Sequence, residues 1–167
     1  MTFSPYPIDP SLYEKGIKVT TYPYVREFPE IKSLNYTAAV LARKQALKQG
    51  SYEALYCNEK KEIVEGALSN FFAFKGNTLI TSKESVLKGI TRKVVLSLAK
   101  QHFLIELRPI SVTEIPELTE AFITSSSKKI LPVREIDNHS LPNKKGKNTQ
   151  LLIELFEEHT FSLEPAL

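Results

Sequence analysis

Tryptophan is absent from these 167 residues, and cysteine and methionine occur once each. The lone Cys57 excludes an intrachain disulfide framework, and with only three histidines at wide spacings no Cys/His metal-ligand pattern forms. Long apolar runs are missing too, so no membrane-spanning helix is expected. The opening MTFSPYPIDPSLYEKG has no basic start followed by an apolar core; no secretory signal is read there, and a cytoplasmic chain is expected. Charge of one sign is equally scarce. A formal net charge of +3 with 25% charged residues supplies no field strong enough to hold a nucleic-acid backbone, so neither nucleic acid nor membrane is expected as a partner.

What is present is enough apolar material, 42% of the chain, for one compact domain with a core and too little for two. Residues 1–16 carry Pro5, Pro7 and Pro10 and read as a linker. Residues 17–22 alternate and are rich in β-branched side chains, which predicts a strand. NYTAAVLARKQALK (35–48) places Ala38, Leu41, Ala42, Gln45 and Ala46 at helical spacing before Gly50 stops the helix. Four short strands follow between 53 and 81, EALYC, EIVEG, NFFAF and TLIT, with the spacing of an antiparallel meander. A second helix starts near Ile90 and runs to about His102. The strand ELRPI comes next, then a short acidic helix around 113–118, strands EAFITSS and ILPVREI, and an amphipathic helix over about 148–159. The polar, basic stretch 137–147 reads as a solvated hairpin or loop. This order argues for an α+β fold, a largely antiparallel sheet flanked by helices, spanning 17–160 with a tail at 161–167.

Periodicity alone leaves the activity open, because many lysines compete for any chemical role. Order narrows the choice. IKSLNY (31–36), VEGALSN (64–70), LKGITR (87–92) and FITSSS (122–127) followed by ILPV (130–133) resemble, in sequence and separation, the large domain of fold-type-IV pyridoxal-phosphate enzymes. That family includes D-amino-acid aminotransferase, branched-chain aminotransferase and aminodeoxychorismate lyase, and the resemblance covers roughly residues 15–158.

The resemblance implies roles that simple chemistry makes sensible. Lys32 would carry pyridoxal 5'-phosphate as a Schiff base; its amine must be neutral to attack a carbonyl carbon, and burial beside a cationic ring is expected to keep it so. Glu65 would hold the proton on the cofactor's ring nitrogen and make the ring an electron sink. Gly89, Ile90 and Thr91 open a helix whose free N–H groups suit a phosphate, and Leu87 would pack on the ring. Ser125 and Ser126 match phosphate donors, approximating the family's Gly-Thr or Ser-Thr pair. Tyr36 matches a tyrosine that bonds the cofactor's phenolic oxygen, in a register one residue off relative to Lys32. Lys128, Lys129 and Leu131 depart from the family, which commonly has glutamate at the second position and threonine at the third.

The implied function is amino transfer between an amino acid and a 2-oxo acid by a homodimer. A lyase of the aminodeoxychorismate type and a non-catalytic remnant are the alternatives. Full-length members carry a smaller N-terminal domain that this sequence does not show, so weak cofactor binding and little turnover are expected of these 167 residues alone.

Overall fold

A computed structural model describes residues 9–143 and 146–162. The expected linker is outside the described residues up to position 8; its remainder holds a short helix α1, Ser11–Lys15. The chain continues through β1 (Ile17–Pro23), α2 (Thr37–Lys48), β2 (Glu53–Cys57), β3 (Glu62–Gly66), β4 (Asn70–Lys75), β5 (Thr78–Thr81) and α3 (Ile90–Ala99). Then come β6 (Leu104–Leu107), β7 (Ile110–Ser111), a 3-10 helix over Val112–Glu117, β8 (Glu120–Ser125), β9 (Lys129–Ile136), β10 (His139–Ser140) and α4 (Lys147–Phe161). The mixed, largely antiparallel sheet with helices on its outside is the expected fold class, with parallel pairing where β1 meets β2 and β9 and where β5 meets β6.

The topology departs from the expected meander. The sheet order is β6-β5-β4-β8-β9-β1-β2-β3-β7, with β10 on β9. The four strands between 53 and 81 are therefore two hairpins separated by β8, β9 and β1. The expected strand ELRPI is two strands on opposite edges of the sheet. Pro109 has no N–H to continue a ladder, and the chain leaves one edge for the other there. Leu107 and Ile110, at the facing ends of those edge strands, are three residues apart, which limits their separation to roughly 11 Å. The sheet must therefore curl almost into a barrel.

Strands β2 to β5, β8 and most of β9 are buried on both faces, which is why they read as nearly continuous apolar runs, whereas the edge strand β6 is largely exposed. Ile17, Val19, Leu55, Phe71, Ile123 and Val133 fill the inside of the curl. Phe72, Phe74 and Phe122 point outward from β4 and β8 beneath α3 and α4, Phe72 and Phe122 stacking at 4.9 Å. Beneath α2, a third cluster joins Ala39, Ala42 and Ala46 to Ala54, Tyr56 and Val64. The buried stripe of α2 is thus one of alanines; Leu41 and Gln45, expected on it, are exposed, because the alanine stripe lets the helix lie close on β2. No helix among the described residues is long and apolar enough to cross a membrane.

Glu120, buried on β8, caps α4 from outside the helix. Its Oε2 accepts from Thr149 N and Thr149 Oγ1, both at 2.7 Å, and its Oε1 from Asn148 N at 3.3 Å. Gly146, at the helix start, is required for this approach, since a Cβ there would fall 1.9 Å from Glu120 Cδ. A carboxylate on the free N–H groups of a helix start is favoured by both hydrogen bonding and the helix dipole. Glu120→Ala is expected to cost about 2 kcal/mol and to lower the thermal midpoint by roughly 4–8 °C, read by circular dichroism.

Candidate functional site

A cavity of about 370 Å³ opens between the start of α2, the end of β3, the turn before α3 and the β8–β9 turn. The segment 24–36, which joins β1 to α2, forms its rim. Tyr24 N–H still bonds Cys57 O at 3.0 Å, after which the chain leaves the sheet. Lys32 follows a turn closed by Ile31 N–H on Phe28 O and lies on the cavity wall as an exposed residue. The burial expected for this amine is thus not supplied by the described protein atoms. Glu30 meets Lys88 of the loop before α3 at 3.1 Å, an exposed pair that adds little energy.

Glu65 is almost fully buried, with 1% of its surface exposed. It reaches the cavity through a register shift in the β2–β3 pairing. Cys57 pairs with Ile63 but Tyr56 with Glu65, so one extra residue on β3 turns the carboxylate to the side of Tyr56 and away from the apolar inside of the curl. Its Oε2 accepts from Leu87 N at 3.0 Å, and its Oε1 is ion-paired with Arg26. Burial pushes the Glu65 pKa up, and the Leu87 N–H and the Arg26 guanidinium offset part of that rise. Across the strand, burial pushes the Tyr56 phenol up to about 12. Its ring packs on Tyr24 at 4.8 Å.

Leu87 is fixed by its main chain. Its N–H serves Glu65, and its carbonyl accepts from Asn70 Nδ2 at 2.7 Å. Gly89 then caps α3 with no side-chain partner for the first N–H groups, and a Cβ there would lie 2.5 Å from Asn70 Oδ1. Ile90 and Thr91 begin the helix on the cavity wall, together with Ser125 and Ser126 from the turn after β8. Thr124, the neighbour of Asn70 across the β4–β8 ladder, is 1% exposed, lines the same cavity and has a hydroxyl with no hydrogen-bond partner. A buried hydroxyl without a partner costs free energy, so this one is poised for a ligand atom. Free helix N–H groups and hydroxyls at one end of a cavity suit an anion. Among the described residues no group of three or more His, Cys, Asp or Glu side chains is placed to hold a metal ion.

All nine residues singled out from the sequence, Lys32, Tyr36, Glu65, Leu87, Gly89, Ile90, Thr91, Ser125 and Ser126, line this one cavity. Sequence reasoning missed Tyr24, Arg26, Tyr56, Asn70 and Thr124, which line it too. Asn70 carried a legible signal, a polar residue opening the apolar strand NFFAF. Arg26 carried none, since an arginine in a polar connecting segment looks like any solvated cation.

An amine, a buried carboxylate and an anion-binding helix start around one cavity in a curled α+β sheet define a site for a small anionic organic ligand, here in a fold of aminotransferase type. The chain belongs to the class IV amino-transferase family, whose profile matches residues 1–136. It is 38% identical over 162 residues to a candidate branched-chain-amino-acid aminotransferase of Methanocaldococcus jannaschii, covering 91% of this chain and 56% of that protein. The branched-chain amino acid aminotransferase from Thermobaculum terrenum in its PLP form superposes with a TM-score of 0.83 at 28% identity, over 89% of this chain and 52% of that one. A candidate 4-amino-4-deoxychorismate lyase from Legionella pneumophila superposes with a TM-score of 0.79 at 26% identity, over 85% and 55%. The chain spans about half the length of the curated relatives it matches.

Proposed function

We propose that residues 17–160 form the pyridoxal-phosphate-holding domain of an aminotransferase, acting on an amino acid and a 2-oxo acid. The observation that carries this reading is that Lys32 and Glu65, far apart in sequence, meet on one cavity whose other wall is the N-terminus of α3. The residues fit the cofactor. The buried carboxylate of Glu65 answers a protonated ring nitrogen. The N–H groups behind Gly89, with Thr91, Ser125, Ser126 and the unpartnered hydroxyl of Thr124, answer a phosphate. Leu87, whose backbone anchors Glu65, offers an apolar surface to a ring, and Tyr36 a phenol to its oxygen.

Bound pyridoxal phosphate supplies an electron sink that stabilises negative charge at the substrate Cα. The amine of Lys32 would hold the cofactor and would serve as the general base for the proton at the substrate Cα. Glu65 would hold the proton on the ring nitrogen, and the α3 terminus would hold the phosphate.

Mixing the chain with pyridoxal phosphate and an amino acid tests the reading. Because weak cofactor binding and little turnover are expected of these 167 residues alone, the test uses a large excess of cofactor and a long incubation. Slow conversion of the cofactor to its amine form that Lys32→Ala abolishes is the expected result, and no Lys32-dependent conversion by any of a panel of amino acids overturns it. The lyase reading, favoured by the likeness to the Legionella protein, predicts instead pyruvate release from aminodeoxychorismate without an amino acceptor. Pairing into a homodimer belongs to the same proposal. It is supported by exposed apolar side chains at Phe28, Leu34 and Ile90, beside the cavity.

A further inference from the structure

We propose that Arg26 is a positioning residue, whose guanidinium anchors and charge-balances the buried Glu65 carboxylate at the floor of the cavity. The inference rests on Glu65 being the group that meets the cofactor's ring nitrogen. Three observations carry it. Arg26 is ion-paired with Oε1 of a carboxylate that is 1% exposed, while the other oxygen is held by Leu87 N at 3.0 Å, so both ends of the group are fixed before any ligand arrives. Arg26 itself lines the cavity on the rim segment that also carries Lys32, so one stretch of chain positions the amine and the acid together. No other cation is ion-paired with Glu65 among the described residues.

The electrostatics give the arrangement its purpose. The carboxylate meets Arg26 from the rim segment and, from β2, Tyr56; Tyr24 and Glu53 act on Tyr56, and the loop before α3 contributes the Leu87 N–H. Of these, Arg26 alone supplies positive charge to set against burial. A neutral Glu65 has no charge to hold a protonated ring nitrogen, so burial without Arg26 would weaken the grip that the chemistry requires. Arginine suits this place because its fork of donors stays charged in a partly dry environment.

Three variants of the full chain, Arg26→Gln, Arg26→Lys and Glu65→Gln, test this with two readouts. The first is the ¹³C carboxyl shift of Glu65 followed against pH without cofactor. In Arg26→Gln the titration is expected at higher pH than in the wild type, because the attraction that favours the ionised form is gone, and Arg26→Lys is expected to fall between. The second is equilibrium binding of pyridoxal phosphate. At neutral pH Arg26→Gln is expected to bind roughly ten- to hundredfold more weakly. The deficit should widen as pH falls and more Glu65 is protonated, and adding Arg26→Gln to Glu65→Gln should cost little more. An unchanged Glu65 titration together with unchanged affinity overturns the role of Arg26. Wild-type protein that binds no pyridoxal phosphate at any pH overturns the assignment of the cavity instead, while the carboxyl titration still decides whether Arg26 governs Glu65. Should Arg26→Gln fail to fold, Arg26→Lys carries the same comparison.

Discussion

Replacing Lys32 by alanine is expected to abolish covalent retention of pyridoxal phosphate and to lower amino transfer on the order of 10³–10⁴-fold or more, since both the attaching amine and the proton carrier are lost. Two lysines line the cavity, and they differ in what they touch. Lys88 is ion-paired with Glu30 at 3.1 Å, whereas Lys32 has no ion-pair partner among the described residues. The Lys88 amine is engaged by Glu30, whereas the Lys32 amine is free to turn toward a ligand in the cavity. Borohydride reduction of the protein with pyridoxal phosphate, then peptide mass spectrometry, should place the label on Lys32 and leave Lys88→Ala labelled as the wild type. A label on Lys88 would reassign the reactive amine. Turnover unchanged in Lys32→Ala would favour a domain kept for assembly only.

The second large effect concerns stability. Glu53, 3% exposed at the start of β2, accepts from Leu68 N at 2.8 Å and Ser69 Oγ at 2.9 Å, and its other oxygen meets Lys128 Nζ at 3.0 Å. Lys128 belongs to the turn between β8 and β9, where its N–H bonds Ser125 Oγ at 3.2 Å. The pair thus bridges the two turns that bring Leu68, Ser69, Ser125 and Ser126 to the cavity. Removing one partner of a buried pair strands the other charge, so Lys128→Met is expected to cost about 3 kcal/mol. That is roughly 6–12 °C in the thermal midpoint for a chain of this size. Glu53→Gln should cost somewhat less, because a lysine with a flexible stem can reach water. The double variant should recover on the order of 1–3 kcal/mol relative to the sum of the two, since neither charge is then left alone. A double variant whose loss equals that sum would show the pair to be uncoupled.

Much of the fold was legible because local signals and burial agree. β1, α2, β2 to β5, α3, β8, β9 and α4 lie where alternation or helical spacing put them, within a few residues. What failed were decisions made by distant partners. NFFAF and EIVEG are neighbours in sequence, but β4 finds β8 and β3 finds β7, and nothing in either string announces it. On α2, Ala42 and Ala46 are buried as expected, but Leu41 and Gln45, which share their helical spacing, are exposed, because close packing on β2 turned the stripe toward Ala39. At the site, ordered motifs brought out residues that recur in a recognisable series. Arg26 and Thr124 lay beyond that reach, because one depends on a partner 39 residues away and the other only on the space in front of it.

The two outermost strands of the sheet are consecutive in the chain and separated only by Arg108 and Pro109, with Arg108 gripped by Glu106 and Glu114 at 2.8 Å each. No ladder joins β6 to β7 among the described residues; the hoop is shut by a covalent clasp. New termini introduced between residues 108 and 109 would unfasten that clasp without breaking one strand-to-strand hydrogen bond. A cut there would free the two edges of the curl from one another while leaving every ladder of the described residues intact.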